Sequence, residues 1–207
     1  MRTRSFLARG AAGLAGGLLL LSVAGTATAA ETEIDNNDVD VTVEIAPLIT
    51  PGTLTMSVDG TSTGLIENGS TSVIRQFTGT LPTVTVTDTR NPEEIPAGTG
   101  WYVLGTATDF VSTTGDVIGA ENFGWAPNLI DGGDSGLVAE GDVVDTAIDG
   151  GADGVGLIDQ ELLAITNDSA AIAQEGSWTA NADLFLRTEP TVDAGDYSST
   201  LTLSLFE

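Results

Sequence analysis

The feature that most constrains this chain is alternation. In "VDVTVEIA", residues 39–46, Val39, Val41, Val43 and Ile45 take every second position, and Asp40, Thr42 and Glu44 fill the places between. That is the period of a strand with one face in a core and the other in water. The pattern recurs in "TVTVTD", with Val84 and Val86, and in "LTLSLF", with Leu201, Leu203 and Leu205. Further runs of strand character lie at 53–58, 72–77, 101–107, 176–181 and 183–188. "PG", "DG", "NG" and "NP" punctuate them, and each of these pairs favours a turn through its backbone. Many short alternating runs between such turns predict an all-β fold, a single β-sandwich of antiparallel strands from 40 to 207. Residues 131–156 are dominated by Gly and Asp and read as a long acidic loop with one weak strand, because they offer little apolar area to offset ordering entropy. In 156–174, Leu157, Ile158, Leu162, Leu163 and Ile165 suit a short helix as well as a strand.

The N-terminus is of another kind. Arg2, Arg4 and Arg9 precede an apolar stretch from Ala11 to Val23 and the small residues Ala27-Thr28-Ala29-Ala30. This is the layout of a secretory signal peptide over 1–30, cleaved after Ala29 or Ala30. Residues 31–39 read as a flexible mature N-terminus, and "STLTLSLFE" carries no membrane anchor or sorting motif. The expectation is a secreted protein, extracellular or wall-associated, without contact to membrane after cleavage. With no cysteine in the chain, its fold rests on packing and ladder hydrogen bonds alone.

Charge and residue usage exclude several functions. Loss of the three leader arginines takes the net charge from −24 to −27, leaving Arg75, Arg90 and Arg187 as the cations. Such a surface repels nucleic acid. The mature chain has no His, Cys or Lys, which removes the common nucleophile–base pairs, His/Cys zinc sites and Schiff-base chemistry. Carboxylates alone remain, and no motif arranges them for catalysis, so the chain reads as non-enzymatic and without a cofactor. Calcium is the one ion the acidic segment suits. A loop starting at Asp145 places Asp149 and Gly150 correctly but has Ala147 and Gly156 at the third and twelfth positions. One starting at Asp149 places Asp153 and Gly154 but has Gly151 and Gln160 there. What the segment retains is an irregular calcium site on Asp145, Asp149 and Asp153, set against a plain solvated loop.

Trp101 and Tyr102 begin "WYVLG", so on a strand they face opposite sides. The inward one belongs to the core, and the outward one, with the loop "RNPEEIPAGTG" beside it, is the candidate contact for a sugar. Core burial is expected for Trp101 and Trp178. Asp88 and Arg90 are expected to pair at the surface, at a hairpin mouth, for about 0 to 1 kcal/mol.

"VTVTDTR" at 84–90, "GWYVLGTATDF" at 100–110, "VIGAENFGWAP" at 117–127 and "AGDYSSTLTLSLFE" at 194–207 together resemble the WxL-domain family of bacterial cell-surface proteins. The naming triplet reads Trp101-Tyr102-Val103 here, with Leu104 one place late, and Leu203 stands where the second Trp would be. The resemblance implies a WxL-like β-sandwich domain over 40–207 that associates non-covalently with the peptidoglycan of the cell wall, with Trp101 and Tyr102 as wall-contact candidates. Two other roles fit the same residues: a secreted structural subunit that self-associates or joins other surface proteins, and a calcium-dependent adhesion module.

Overall fold

The computed structural model describes residues 42–45, 50–151 and 154–207. The chain divides into two compact units, Met1–Pro47 and Leu48–Glu207. In the first, residues 42–45 carry no regular structure, and Val43 and Ile45 are 81% and 84% exposed. The half-buried strand expected over 39–46 is therefore not formed at 42–45, and the rest of that run lies outside the described residues. Alternation makes a segment fit to pair, but a strand exists only where a neighbour supplies a ladder.

The second unit is mostly antiparallel β. Its strands are β1 (Leu54–Val58), β2 (Ile66–Glu67), β3 (Arg75–Thr80), β4 (Val84–Asp88), β5 (Trp101–Ala107), β6 (Phe110–Ser112), β7 (Val117–Ile118), β8 (Phe123–Asp131), β9 (Val138–Glu140), β10 (Glu161–Thr166), β11 (Ser177–Thr188), β12 (Tyr197–Ser198) and β13 (Leu201–Phe206). The one α-helix among the described residues, α1 (Ser169–Ile172), is a single turn capped by the Asp168 side chain, which accepts from the Ala171 amide.

The organising strand is β11. "SWTANADLFLRT" buries Trp178, Ala180, Ala182, Leu184, Leu186 and Thr188 at every second position. The two runs read separately at 176–181 and 183–188 are one strand, because Ala182 continues the inward row between them. On one edge β11 pairs first with β4 and then with β3. These form a single path interrupted at Leu81–Thr83, where Pro82 has no amide to donate. On its other edge β11 pairs with β8. Outside β4 and β3 lie β1 and β2, and the whole sheet curls into a half-barrel. A second sheet runs β13-β5-β10-β9, and a third, small one runs β12-β6-β7.

The core lies between the first two sheets. Val84, Val86, Trp178 and Ala180 of the first meet Trp101, Val103, Leu163 and Ala164 of the second, and the Trp101 and Trp178 rings tilt together at 5.5 Å. Burying three indoles supplies much of the apolar area that a cysteine-free chain needs. Gly105 explains itself here: a Cβ on it would lie 2.5 Å from the Trp125 ring. Two sequence expectations resolve together in the undecided stretch, which holds a 3-10 turn at Gly156–Ile158, then β10, then α1. The acidic stretch 131–156 does hold one short strand, β9. It is less solvated than its composition suggests, since Val144 and Thr146 are buried and Val144 bridges Trp125.

Candidate functional site

The stretch 84–107 is not a hairpin. β4 and β5 belong to different sheets, so residues 89–100 carry the chain across the core. That loop is largely exposed, as expected, with one exception: Ile95 is buried beyond a 3-10 turn at Pro92–Glu94. The turn is held by the Glu94 carboxylate, which accepts from the Asn91 amide at 2.8 Å.

The crossing also corrects the surface ion pair. Asp88 is 2% exposed, and Arg90 grips it with two side-chain bonds, Nε to Oδ1 at 2.9 Å and NH2 to Oδ2 at 2.7 Å. The Arg90 amide adds a third at 3.0 Å. The remaining guanidinium nitrogen, NH1, reaches the Glu207 carboxylate at 2.5 Å. The Asp88 bond, ahead of burial and Glu207, raises the arginine further above its ordinary range. Asp88 ends β4 and Glu207 follows β13, so the triad ties the two sheets together at one end. A two-residue spacing on one strand suggested a solvent-facing pair; the sheet change turns it inward.

Trp101 and Tyr102 part as alternation requires. Trp101 is in the core, whereas Tyr102 faces outward, stacked on Phe206 of β13 with ring centroids 5.3 Å apart and planes 16° from parallel. Register places Phe206, Tyr102, Ile165 and Ala139 in one row across all four strands of this sheet. The first three are half-buried and Ala139 is exposed. The next rows on the same face carry Ser204 beside Leu104, then Thr202 beside Thr106, whose hydroxyl faces the Leu157 and Ile158 carbonyls. An aromatic face bordered by hydroxyls is what a sugar ring stacks on and hydrogen-bonds to.

The three calcium candidates are not brought together as a site in the described residues. Asp145 bridges Gly154 through its backbone, and its carbonyl accepts from the Gly156 amide at 2.9 Å. The Asp149 carboxylate accepts from Thr146, from the amide at 3.0 Å and the hydroxyl at 2.7 Å, and forms an ion pair with Arg187. Burial works against its charge, but Thr146 and Arg187 outweigh this and hold the carboxyl below its usual range. Asp153 lies outside the described residues. Among the described residues no group of three His, Cys, Asp or Glu side chains is placed to hold a metal ion.

Sequence reasoning missed a large cleft between the sheets. Between β1 and β13 lies a cleft of about 1020 Å³, walled by Met56, Val58, Phe77, Leu184, Leu201 and Leu203 and floored by the small third sheet through Phe110 and Ile118. Nothing in the local pattern marks it, because it exists only where two edges from distant parts of the chain fail to meet. By contrast, Glu175 was readable as a polar partner three residues before Trp178: its carboxylate accepts from the indole at 2.9 Å and from the Ser135 amide at 2.8 Å, the indole bond leading in holding it below its usual range.

No family model matches the chain, and no curated protein or solved structure is significantly similar to it.

Proposed function

We propose that this chain is an exported, non-enzymatic surface protein whose single β-sandwich, of the WxL kind, holds it non-covalently on the peptidoglycan-containing cell wall. The observation that carries the reading is the outward Tyr102–Phe206 stack on the "WYVLG" strand. It joins two of the segments on which the family resemblance rests, residues 100–110 and 194–207, in one surface feature with hydroxyls beside it. The absence of His, Cys and Lys beyond the leader supports a binding role over a catalytic one. The acidic surface supports a partner recognised by stacking and hydrogen bonds, since anionic polymers would be repelled.

The test is co-sedimentation with purified cell walls, with and without a chelator. Wild-type protein is expected to pellet with walls in both conditions, and Tyr102→Ala to remain in the supernatant while keeping its far-ultraviolet circular dichroism and a cooperative thermal melt. Equal pelleting of wild type and Tyr102→Ala would remove the stacking site. A requirement for calcium would favour an adhesion module built on Asp145, Asp149 and Asp153.

A further inference from the structure

We propose that the cleft between β1 and β13 accepts residues 39–45 of a second copy of this chain as an added strand, so that copies link edge to edge. The first ground is the state of the two edges. The Asp59 amide donates to the Thr83 carbonyl, and the Thr89 amide to the Thr53 carbonyl. The odd-numbered residues of β1 therefore face β4. In an antiparallel ladder the alternate residues then point the other way, which leaves the amides and carbonyls of Leu54, Met56 and Val58 on a free edge. On β13 the Thr108 amide donates to the Thr200 carbonyl, so the even residues face β5 and Leu201, Leu203 and Leu205 present the second free edge. No other described strand pairs with either. Open edges with apolar rows of this kind are the template for strand addition.

The second ground is the shape and chemistry of the opening. At one end the Arg90–Glu207 ion pair ties the chain just beyond β4 to the end of β13. Toward Val58 and Leu201 the two edges diverge into the 1020 Å³ cleft, where Leu201 and Leu203 are only partly buried although they pack on the core. An inserted strand with apolar side chains at alternate positions would complete that packing and satisfy the edge amides together.

The third ground is that the chain carries the pattern of such a strand, whose described part, residues 42–45, joins no ladder. Residues 39–45 place Val39, Val41, Val43 and Ile45 on one face and Asp40, Thr42 and Glu44 on the other. Val43 and Ile45 are 81% and 84% exposed. Seven extended residues span about 23 Å and the six of β13 about 20 Å, so donor and acceptor match in length. The chain enters β1 at Leu54, the end that Arg90 and Glu207 close, whereas an arm from another copy reaches the cleft from its open end. The net charge of −24, or −27 without the leader, opposes the approach of copies, so linkage strengthens as salt screens it.

The test is the mass of the full exported chain by sedimentation velocity across a concentration series at low and high ionic strength. Wild type is expected to form dimers and longer species that grow with concentration and with salt. The double variant V43D/I45D alters two exposed side chains, so it is expected to stay folded by circular dichroism and to associate roughly tenfold or more weakly. A synthetic peptide of residues 36–48 added to that variant is expected to slow amide exchange at Leu54, Met56, Val58, Leu201 or Leu203. The proposal is overturned if wild type is monomeric at every concentration, if V43D/I45D associates as well as wild type, if the peptide leaves both edges unprotected, or if residues 39–45 are protected from exchange in a monomer, which would mean the chain fills its own cleft.

Discussion

The two long sides of the same core are built in opposite ways. Along the Trp101–Trp178 contact the sheets leave a void of only about 10 Å³. The β8–β9 side is tied off by the Leu129 amide donating to Glu140 at 2.7 Å and by the Trp125–Val144 bridge. Along β1 and β13 the same two sheets stand apart around about 1020 Å³. Fold stability therefore belongs to the first side, and the proposed recognition surfaces are the second side and the outer face of β5 and β13. A chain that could close one side this tightly has left the other open with its apolar rows showing.

The largest effect should come from the sealed side. Trp101→Ala or Trp178→Ala removes a buried ring from the inter-sheet contact and is expected to cost about 3 to 5 kcal/mol in urea unfolding; a loss under about 1 kcal/mol would show that the tryptophans do not hold the sheets. Asp88→Ala leaves Arg90, at 12% side-chain exposure, with Glu207 as its remaining carboxylate partner and is expected to cost about 3 kcal/mol, the range for breaking a buried pair by one partner. Glu207→Gln, at the more exposed end of the triad, should cost under about 1 kcal/mol.

The comparison sharpens most when one substitution is made on both sides. Leu163→Ala, in the sealed core, should cost about 3 kcal/mol. Leu203→Ala, on the cleft wall, should cost about 1 kcal/mol in dilute protein, because the side chain already lacks neighbours on one side. Equal losses would erase the distinction.

The smallest effect is on pH. The Asp149 carboxyl is held below its usual range, so its contribution is fully present above the ordinary aspartate value of about 3.9 and is lost as pH falls through the lower folded value. Asp149→Asn should flatten the acid limb of stability by under about 1 kcal/mol and lower stability at neutral pH by no more than that.

Sequence made single strands legible on both sides, with β8 missed and β10 left undecided, and the assembly of the sheets not. Runs of strand character located β1, β4, β5 and β13 nearly to the residue, and alternation put Trp101 and Tyr102 on opposite faces, because each face of a strand is written locally. β3 came out shifted, at Arg75–Thr80 where 72–77 was expected, since a ladder partner sets where a strand starts. Which sheet a strand joins is not local. The crossing between β4 and β5 turned an expected hairpin into an inter-sheet arch and an expected surface pair, Asp88 and Arg90, into a buried one. The cleft was invisible for the same reason, since two unpaired edges adjoin only after both sheets form. Residues 39–45 show the converse, a strand pattern whose described part has no ladder to join.

The most direct test of this asymmetry is residue-resolved amide exchange in wild-type protein, dilute and then concentrated. Val84 and Val86, whose amides lie between β4 and β11, should exchange slowly at both concentrations. Leu54, Met56 and Val58, with Leu201, Leu203 and Leu205, should exchange fast in dilute protein, and at least one of the two sets should become protected in concentrated protein as a second copy fills the cleft. Edge amides that are already slow in dilute protein, or that stay fast at every concentration, would contradict the account.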